Sequence, residues 1–384
     1  MFYLHKAIVY CCLFALSVTN PSVNVFAQFS SGTGTATDPF LIKTAEELDQ
    51  VRNHLNKHFR MVNTIDLTAF LMNHYNSEGW LPIGDDANRF EGVINGGGFE
   101  IRGLWIRRPE LNYVGLFGVN AGIIDSLGVV ISAHNIEGSS FAGSLAGCNY
   151  GTINYSYVTG PAGAQVISNN CSGGLAGQNF GTILYCKTIT VNTFSSYASG
   201  NLVGHLDTGE ISYCYSTGTS TSLNFSGGMI GYMKNGLVSQ CFAMGNSSGS
   251  SHSGGLIGFM NNGSISYSYA IGTSFGSRSG GLIGFINNGA ITNCYATGAV
   301  SGTTVGGFAG GNRSCRILNC YYNSDKAGVN IGVATGNGND KVIGLDNQTM
   351  TQSNTFLEWD FSNIWSIDEG STFPYLSKIP YYLN

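Results

Sequence analysis

The sequence predicts an all-β, single-domain β-solenoid of about eight coils of 26–30 residues, with short helical caps at both ends. Three observations carry that reading: a Gly-x-Leu-x-Gly signature that returns at a nearly fixed period, short apolar stretches punctuated by Asn-Gly turns, and an aliphatic position locked in phase with the signature. Taking the last glycine of each signature as a marker gives Gly118, Gly147, Gly177, Gly204, Gly231, Gly258, Gly284 and Gly310, spaced 29, 30, 27, 27, 27, 26 and 26 residues apart. A fixed period of roughly 20–50 residues marks an array in which each unit buries its apolar face only by stacking on its neighbours.

The apolar stretches are too short for helices, and glycine recurs every few residues, so each copy reads as one coil of strands. Six or seven residues past the marker stands an aliphatic: Ile124, Ile153, Ile183, Ile211, Val238, Ile265, Ile291 or Ile317. Two residues before the marker stands Leu116, Leu145, Leu175, Leu202, Met229, Leu256, Leu282 or Phe308. Stacked about 4.8 Å apart, the two sets form continuous apolar ladders, and eight coils make a rod of roughly 38 Å. Asn235-Gly236, Asn262-Gly263 and Asn288-Gly289 supply corners, since both residue types tolerate positive φ.

Three residues after the aliphatic ladder come Ser156, Cys186, Cys214, Cys241, Ser268, Cys294 and Cys320. Interchange of serine and cysteine points to a small packed side chain and free thiols, against a disulfide framework or a metal string. Cys148, Cys171 and Cys315 fall off this grid, and the sequence does not pair them. Alternation with period two then turns the next residue outward, which places Tyr157, Tyr215, Tyr269, Tyr295 and Tyr321 in one stripe, with Phe242 in it and Lys187 interrupting it. As an exposed stripe these tyrosines are the candidate ligand-binding residues, able to stack on sugar rings or enter a protein interface. The structural alternative is rung-to-rung stabilisation by stacked rings.

The remaining chain divides into a secretory signal over 1–27, an N-terminal cap helix with irregular first rungs over 28–111, the repeats over 112–322, and a C-terminal cap over 323–384. Lys6, the apolar run Ala7 to Val18 and Val25-Phe26-Ala27 ahead of Gln28 have the form of a signal peptide with small residues at the cut. Export follows, to a secreted or cell-surface address with outer-membrane association as one form of it. No later stretch reaches the roughly 18 apolar residues of a membrane-spanning helix. Thr44 to Glu47 is a capping box that opens a helix to about Leu55, placed to cover the first rung. Met61 to Leu67 and Phe90 to Ile106 read as early coils, Asp346 to Phe356 as a short helix, and Trp359 to Leu376 as a closing strand pair.

Charged residues make up 10% of the chain against about 25% in ordinary soluble proteins, and glycine counts 55 of 384. A formal net charge of −5 without Lys/Arg clusters offers no footprint for nucleic acid. Candidate chemistry is sparse. Gly245-Asn-Ser-Ser-Gly249 fits the nucleophile-elbow pattern but lacks the strand-to-helix setting that the motif needs. His54 and His58, four apart on the expected cap helix, have no third ligand, and solvated helix surface describes them better than a metal site. Asp66, Asp85, Asp86, Glu91 and Glu100 are the carboxylates a glycan-processing enzyme would draw on. No cofactor and no metal is expected.

The copies Gly254-Gly-Leu-Ile-Gly258 through Ser266-Tyr-Ser-Tyr-Ala270, and Gly280-Gly-Leu-Ile-Gly284 through Asn293-Cys-Tyr-Ala-Thr-Gly298, resemble the GLUG motif. The flanks Gly32 to Ile42 and Trp359 to Leu376 resemble segments that bracket such arrays. The resemblance implies an exported bacterial β-solenoid related to filamentous-haemagglutinin-like adhesins and the repeat regions of immunoglobulin A peptidases. It implies adhesion or binding of a host or bacterial surface glycan or protein, and it brings no catalytic residues. The alternative is a glycan-processing β-helix enzyme, a polysaccharide lyase or glycoside hydrolase.

Overall fold

The computed structural model describes residues 29–336 and 341–379; the expected signal peptide over 1–27 lies outside the described residues. The described chain is an all-β solenoid of stacked coils. Three parallel sheets of 11, 22 and 7 strands run the length of the stack, and a two-stranded antiparallel pair accompanies them. Parallel stacking runs from Phe40–Ile42 to Val342–Leu345, beyond the 112–322 window on both sides.

The aliphatic ladder is the spine of the 11-stranded sheet. Its register pairs Ile94, Ile124, Ile153, Ile183, Ile211, Val238, Ile265, Ile291 and Ile317 in succession. The second ladder, Leu116 to Phe308, is wholly buried across the core from it. Each inward residue therefore meets its counterpart one rung away, which is why the repeat must keep phase.

The signature glycines serve close packing of backbone on backbone. A Cβ at Gly204, Gly231, Gly258 or Gly284 would stand 2.5–2.9 Å from the backbone nitrogen of Ser172, Ser199, Ser226 or Ser253 in the coil before. The first glycine of the signature is equally confined, since a Cβ at Gly173, Gly227 or Gly254 would lie 1.9–2.0 Å from the carbonyl oxygen of Ala176, Ile230 or Ile257. Leucine between them points into the core while both glycines face bare backbone, so the motif is a recipe for a flat, tight corner.

The eight described cysteines are buried, and those of the small ladder are thiols. On the ladder, each thiol points at the carbonyl two residues back: Cys186 to Leu184, 3.1 Å, and Cys214 to Ser212, Cys241 to Ser239, Cys294 to Thr292 and Cys320 to Leu318, 3.2 Å each. Ser156 and Ser268 make the same bond at 2.8 Å. Serine and cysteine interchange here because both are small donors. Burial pushes the Cys214 and Cys294 thiols well above their ordinary range.

At the N-terminal end, helix α1 (Ala45–Gln50) starts from the predicted capping box: Thr44 Oγ1 accepts from the Glu47 amide at 3.2 Å, and Glu47 accepts from the Thr44 amide at 3.3 Å. The helix gives way to a 3₁₀ turn at Val51–Asn53, so His54 follows its end and His58 opens the strand His58–Met61. The two histidines share no helix face. Helix α2 (Thr68–His74), which buries Phe70 and Leu71 beside Trp80, has no capping box and was not legible. Helix α3 (Ser324–Ala327) closes the last full coil, with Asn323 capping it and Gly328 ending it at φ 72°.

Of the two C-terminal expectations, one is corrected and one is met. Asp346 to Phe356 is not one helix but two 3₁₀ turns, Thr349–Thr351 and Ser353–Thr355, because Gln352 between them is extended at φ −117°, ψ 119°. Trp365–Ser366 and Tyr375–Leu376 do pair antiparallel. They lie along the flank of the solenoid as a strap, held by their own apolar cluster with Tyr215, Phe242, Tyr269, Tyr295 and Tyr321.

Candidate functional site

The outward column after the small ladder has the predicted register: Tyr157, Lys187, Tyr215, Phe242, Tyr269, Tyr295 and Tyr321 succeed one another in the 22-stranded sheet. Its rings stack at 4.9 Å, with interplanar angles of 2°, 6° and 9° from Tyr215 to Tyr295. Exposure is where expectation and structure part. Tyr215, Tyr269, Tyr295 and Tyr321 are only 2–5% exposed, because the strap lays Phe356, Trp359 and Trp365 across them. Trp365 sits 6.1 Å from Tyr269 and 5.9 Å from Tyr295, the Tyr295 hydroxyl donates to the Pro374 carbonyl, and the Tyr321 hydroxyl accepts from the Leu357 amide at 3.0 Å. Tyr269, Tyr295 and Tyr321 face out from their coils yet cannot touch a ligand while the strap is docked, and Tyr215 reaches the surface only at the edge of the strap.

Tyr157 is half-buried and turned toward the N-terminal coils. Gly128 intervenes in register between it and Glu100. Lacking a side chain, Gly128 lets the Tyr157 ring pass over it to donate to the Glu100 carboxylate. Burial, reinforced by Glu100, pushes the Tyr157 hydroxyl up to about 12, and the same bond, with help from Arg102, holds Glu100 below its ordinary value. The Lys187 ammonium lies 5.5 Å from the Tyr157 ring centre and 6.0 Å from that of Tyr215.

A second aromatic column, not picked out from the sequence, remains open. The residue before each ladder serine or cysteine has φ between 46° and 56° at Tyr155, Tyr185, Tyr213, Gln240, Tyr267, Asn293 and Asn319. Asparagine suits that left-handed region, whereas a bulky aromatic there is an outlier that marks strain or function. Tyr155, Tyr185 and Tyr213 occupy it in three successive coils, stacked at 4.8 and 4.6 Å with interplanar angles of 7° and 8°. Tyr155 is 56% and Tyr185 38% exposed. At the far end of the column Asn293 and Asn319 bind Glu358 of the strap instead.

Lys378 and Ile379 of the strap lie beside this column, and between them is an open cleft of about 290 Å³ lined by Tyr155, Tyr157, Tyr185, Lys187, Tyr213, Tyr215, Lys378 and Ile379. Lys378 lies 5.7 Å over Tyr213. Because the rings are packed face to face, they present edges and hydroxyls rather than faces, so a sugar ring cannot be sandwiched between neighbours. Ring edges carry the positive end of the aromatic quadrupole, and the phenols are donors, so the row favours acceptor groups. The signal in the sequence was tyrosine recurring immediately before Ser156, Cys186 and Cys214.

The other candidates do not assemble chemistry. Ser247 of the elbow-like motif lies inside the strand Asn246–Gly254, buried against Ser253 at 2.9 Å. Asp85 accepts from the amides of Ala87 and Asn88 in a turn, and Asp86 pairs with Arg89 at 2.9 Å. Asp66 is held low by the Thr68 hydroxyl and amide. Among the described residues no cluster of three or more His, Cys, Asp or Glu could hold a metal ion, and no helix is long and apolar enough to cross a membrane.

His205 lies on the 7-stranded sheet and does not line this cleft. Burial pushes its imidazole down to about 4 against the opposing pull of Asp207, 3.9 Å away, and Lys234, 3.1 Å from Asp207, adds to the fall. The folded value lies below the unfolded one near 6.5, so the unfolded state takes up protons first as pH falls. The stability that His205 supports is fully present above pH 6.5 and drains away between 6.5 and 4, by about 3 kcal/mol on the general scale of such shifts. Chemical denaturation at stepped pH should show that loss, and His205→Gln should flatten it.

With this geometry in place, comparison with known proteins is informative. The family model described as the GLUG motif matches residues 275–301, one full period of the stack. Residues 275–301 carry a GLUG motif. A protein of Evansella cellulosilytica with the provisional name Gly-rich membrane protein is 48% identical over 130 residues, 33% of this chain and 15% of that protein. Halomucin of Haloquadratum walsbyi is 31% identical over 139 residues, 34% of this chain and 2% of its own length. The matched region thus spans a small part of each relative. Among solved structures, a Bacteroides ovatus chain provisionally described as an immunoglobulin A1 protease aligns over 91% of this chain and 95% of its own, at 19% identity and a TM-score of 0.49. In GLUG terms, the signature glycines of this chain are the residues that bring successive backbones together.

Proposed function

We propose that this GLUG protein is an exported, non-enzymatic β-solenoid of the cell surface or its surroundings that binds an extended glycan or protein along the cleft at Tyr155, Tyr185 and Tyr213. The observation that carries this reading is the three-ring ladder held in left-handed backbone and left open, where the same column lower down is tied to the strap. Three aromatic side chains in a strained region call for a compensating role beyond filling a corner. The names of the relatives, a membrane protein and a halomucin, support a surface or extracellular address. Tyr157 belongs to the same cleft, while Tyr215 borders it at the edge of the strap. A non-enzymatic reading fits Glu100, whose low-lying carboxylate is engaged by Tyr157 and Arg102 and is poorly suited to general acid work.

The test is retention of intact polymers by the exported chain on an array of host and bacterial extracellular glycans and proteins, with product analysis on each. Tyr185→Ala should weaken binding about tenfold, the scale of one lost anchor, with coil stability largely kept. Cleaved product that disappears in Glu100→Ala would replace the binding reading with the enzymatic one.

A further inference from the structure

Resting on the binding face proposed above, we infer that the cleft takes an anionic polysaccharide, one carrying carboxylate or sulfate groups along its chain. The groups that line it are of one electrostatic kind. Lys187 and Lys378 enter from two separate parts of the chain, the solenoid and the strap, and both line the cleft, Lys187 over Tyr157 and Tyr215 of one row and Lys378 over Tyr213 of the other. Among the described residues neither ammonium has a carboxylate within 4 Å, whereas the lysine on the neighbouring coil face, Lys234, is paired with Asp207 at 3.1 Å. No described carboxylate lines the cleft. In a chain of formal net charge −5, two cations with no described carboxylate beside them in one small cleft make a local reversal of sign.

Lys187 is also pre-positioned. It is the basic member of a column that is aromatic on both sides, and the rings of Tyr157 and Tyr215 hold its ammonium between them. Less side-chain freedom is then lost when an anion arrives. The phenol hydroxyls and electropositive ring edges of Tyr155, Tyr185 and Tyr213 extend donor character along the solenoid axis at each rung. A row of donors with two cations at one side matches a chain whose repeating units carry hydroxyls and periodic negative charge. A folded acidic protein requires about 800 Å² of its own surface for a stable interface, far more than this cleft offers. Duplex nucleic acid requires several phosphate contacts.

The experiment measures binding of polygalacturonate, chondroitin sulfate and neutral dextran to the exported chain at 50 and 300 mM salt. The expected result is binding of the two polyanions, weakened by salt, with little retention of dextran. Lys187→Gln and Lys378→Gln should each weaken polyanion binding about tenfold, the scale of one charge-assisted contact, and Lys187→Arg should restore most of it. Unchanged thermal unfolding of the Gln variants shows that the loss is not misfolding. Dextran bound as tightly as the polyanions, with Tyr185→Ala sensitive and the lysine variants silent, overturns the anionic class and leaves the binding face standing. Binding of acidic proteins alone does the same. No polymer bound at all, with Tyr185→Ala and wild type alike, overturns both.

Discussion

Gly231→Ala should destabilise the middle of the solenoid by about 3 kcal/mol, the upper end of what one inserted methyl costs in a packed interior. The added Cβ would lie 2.5 Å from the Ser199 nitrogen, 2.8 Å from the Ala198 carbonyl carbon and 2.9 Å from the Gly204 oxygen. All three atoms are backbone, so no side chain can swing away. The two coils must part, and each is held in register by its own ladder bonds. Gly163→Ala is the informative comparison. Gly163 has φ 88° with nothing within 4 Å of its would-be Cβ, so only the conformational penalty of roughly 1 kcal/mol applies. Stacked coils open locally, so native-state hydrogen exchange is the right measurement. Amides of 198–206 and 225–233 should lose about a hundredfold in protection in Gly231→Ala, with little change there in Gly163→Ala. Equal losses in the two variants would mean that backbone proximity is not what the signature glycine provides.

That comparison also shows what was legible from sequence and what was not. The ladders Leu116 to Phe308 and Ile124 to Ile317 were readable because a solenoid repeats its core in its own period, so each position is tested by its copies. The role of the small ladder was readable for the same reason, although its hydrogen bond across a left-handed residue was not. The binding stripe was read correctly as to register and incorrectly as to exposure. Whether Tyr269 meets solvent depends on Trp365, 96 residues away in sequence, and periodicity within the array says nothing about a segment that joins it only once. The Tyr155, Tyr185 and Tyr213 column escaped notice because period-two reasoning assumes extended backbone throughout, and these residues sit where the strand turns with φ near 50°. Helix α2 was missed because its seven residues carry neither capping box nor long apolar periodicity.

Trp365→Ala should release the strap while leaving the coils stacked. Trp365 is fully buried, stacks on Trp359 at 4.3 Å and 20°, and spans Tyr269 and Tyr295. Truncating a tryptophan in such a setting costs about 3–5 kcal/mol. Trp365 is the centre of the apolar cluster that Met350, Phe356, Trp359, Leu376 and Ile379 form with the tyrosine column, and the rest of the hold is a two-stranded pair of two residues each, marginal by itself, with a few bonds such as Trp359 Nε1 to the Asn319 carbonyl at 3.0 Å and Asn319 to Glu358 at 2.8 Å. The solenoid, in contrast, draws its stability from coil-to-coil pairing that the strap does not enter. Limited proteolysis of Trp365→Ala should therefore cut within 346–379, with the far-ultraviolet signature of the coils retained. Tyr269 and Tyr295 should become accessible to modification. Among the described residues the buried Nε1 of Trp365 has no hydrogen-bond partner, so Trp365→Phe should keep most of the docking. Because Lys378 belongs to the strap, polyanion binding at the cleft should weaken together with docking, linking the two faces of the aromatic column. A strap that stays protease-resistant in Trp365→Ala would show that its polar contacts suffice. Coils that melt together with the strap would show that it is part of the solenoid core.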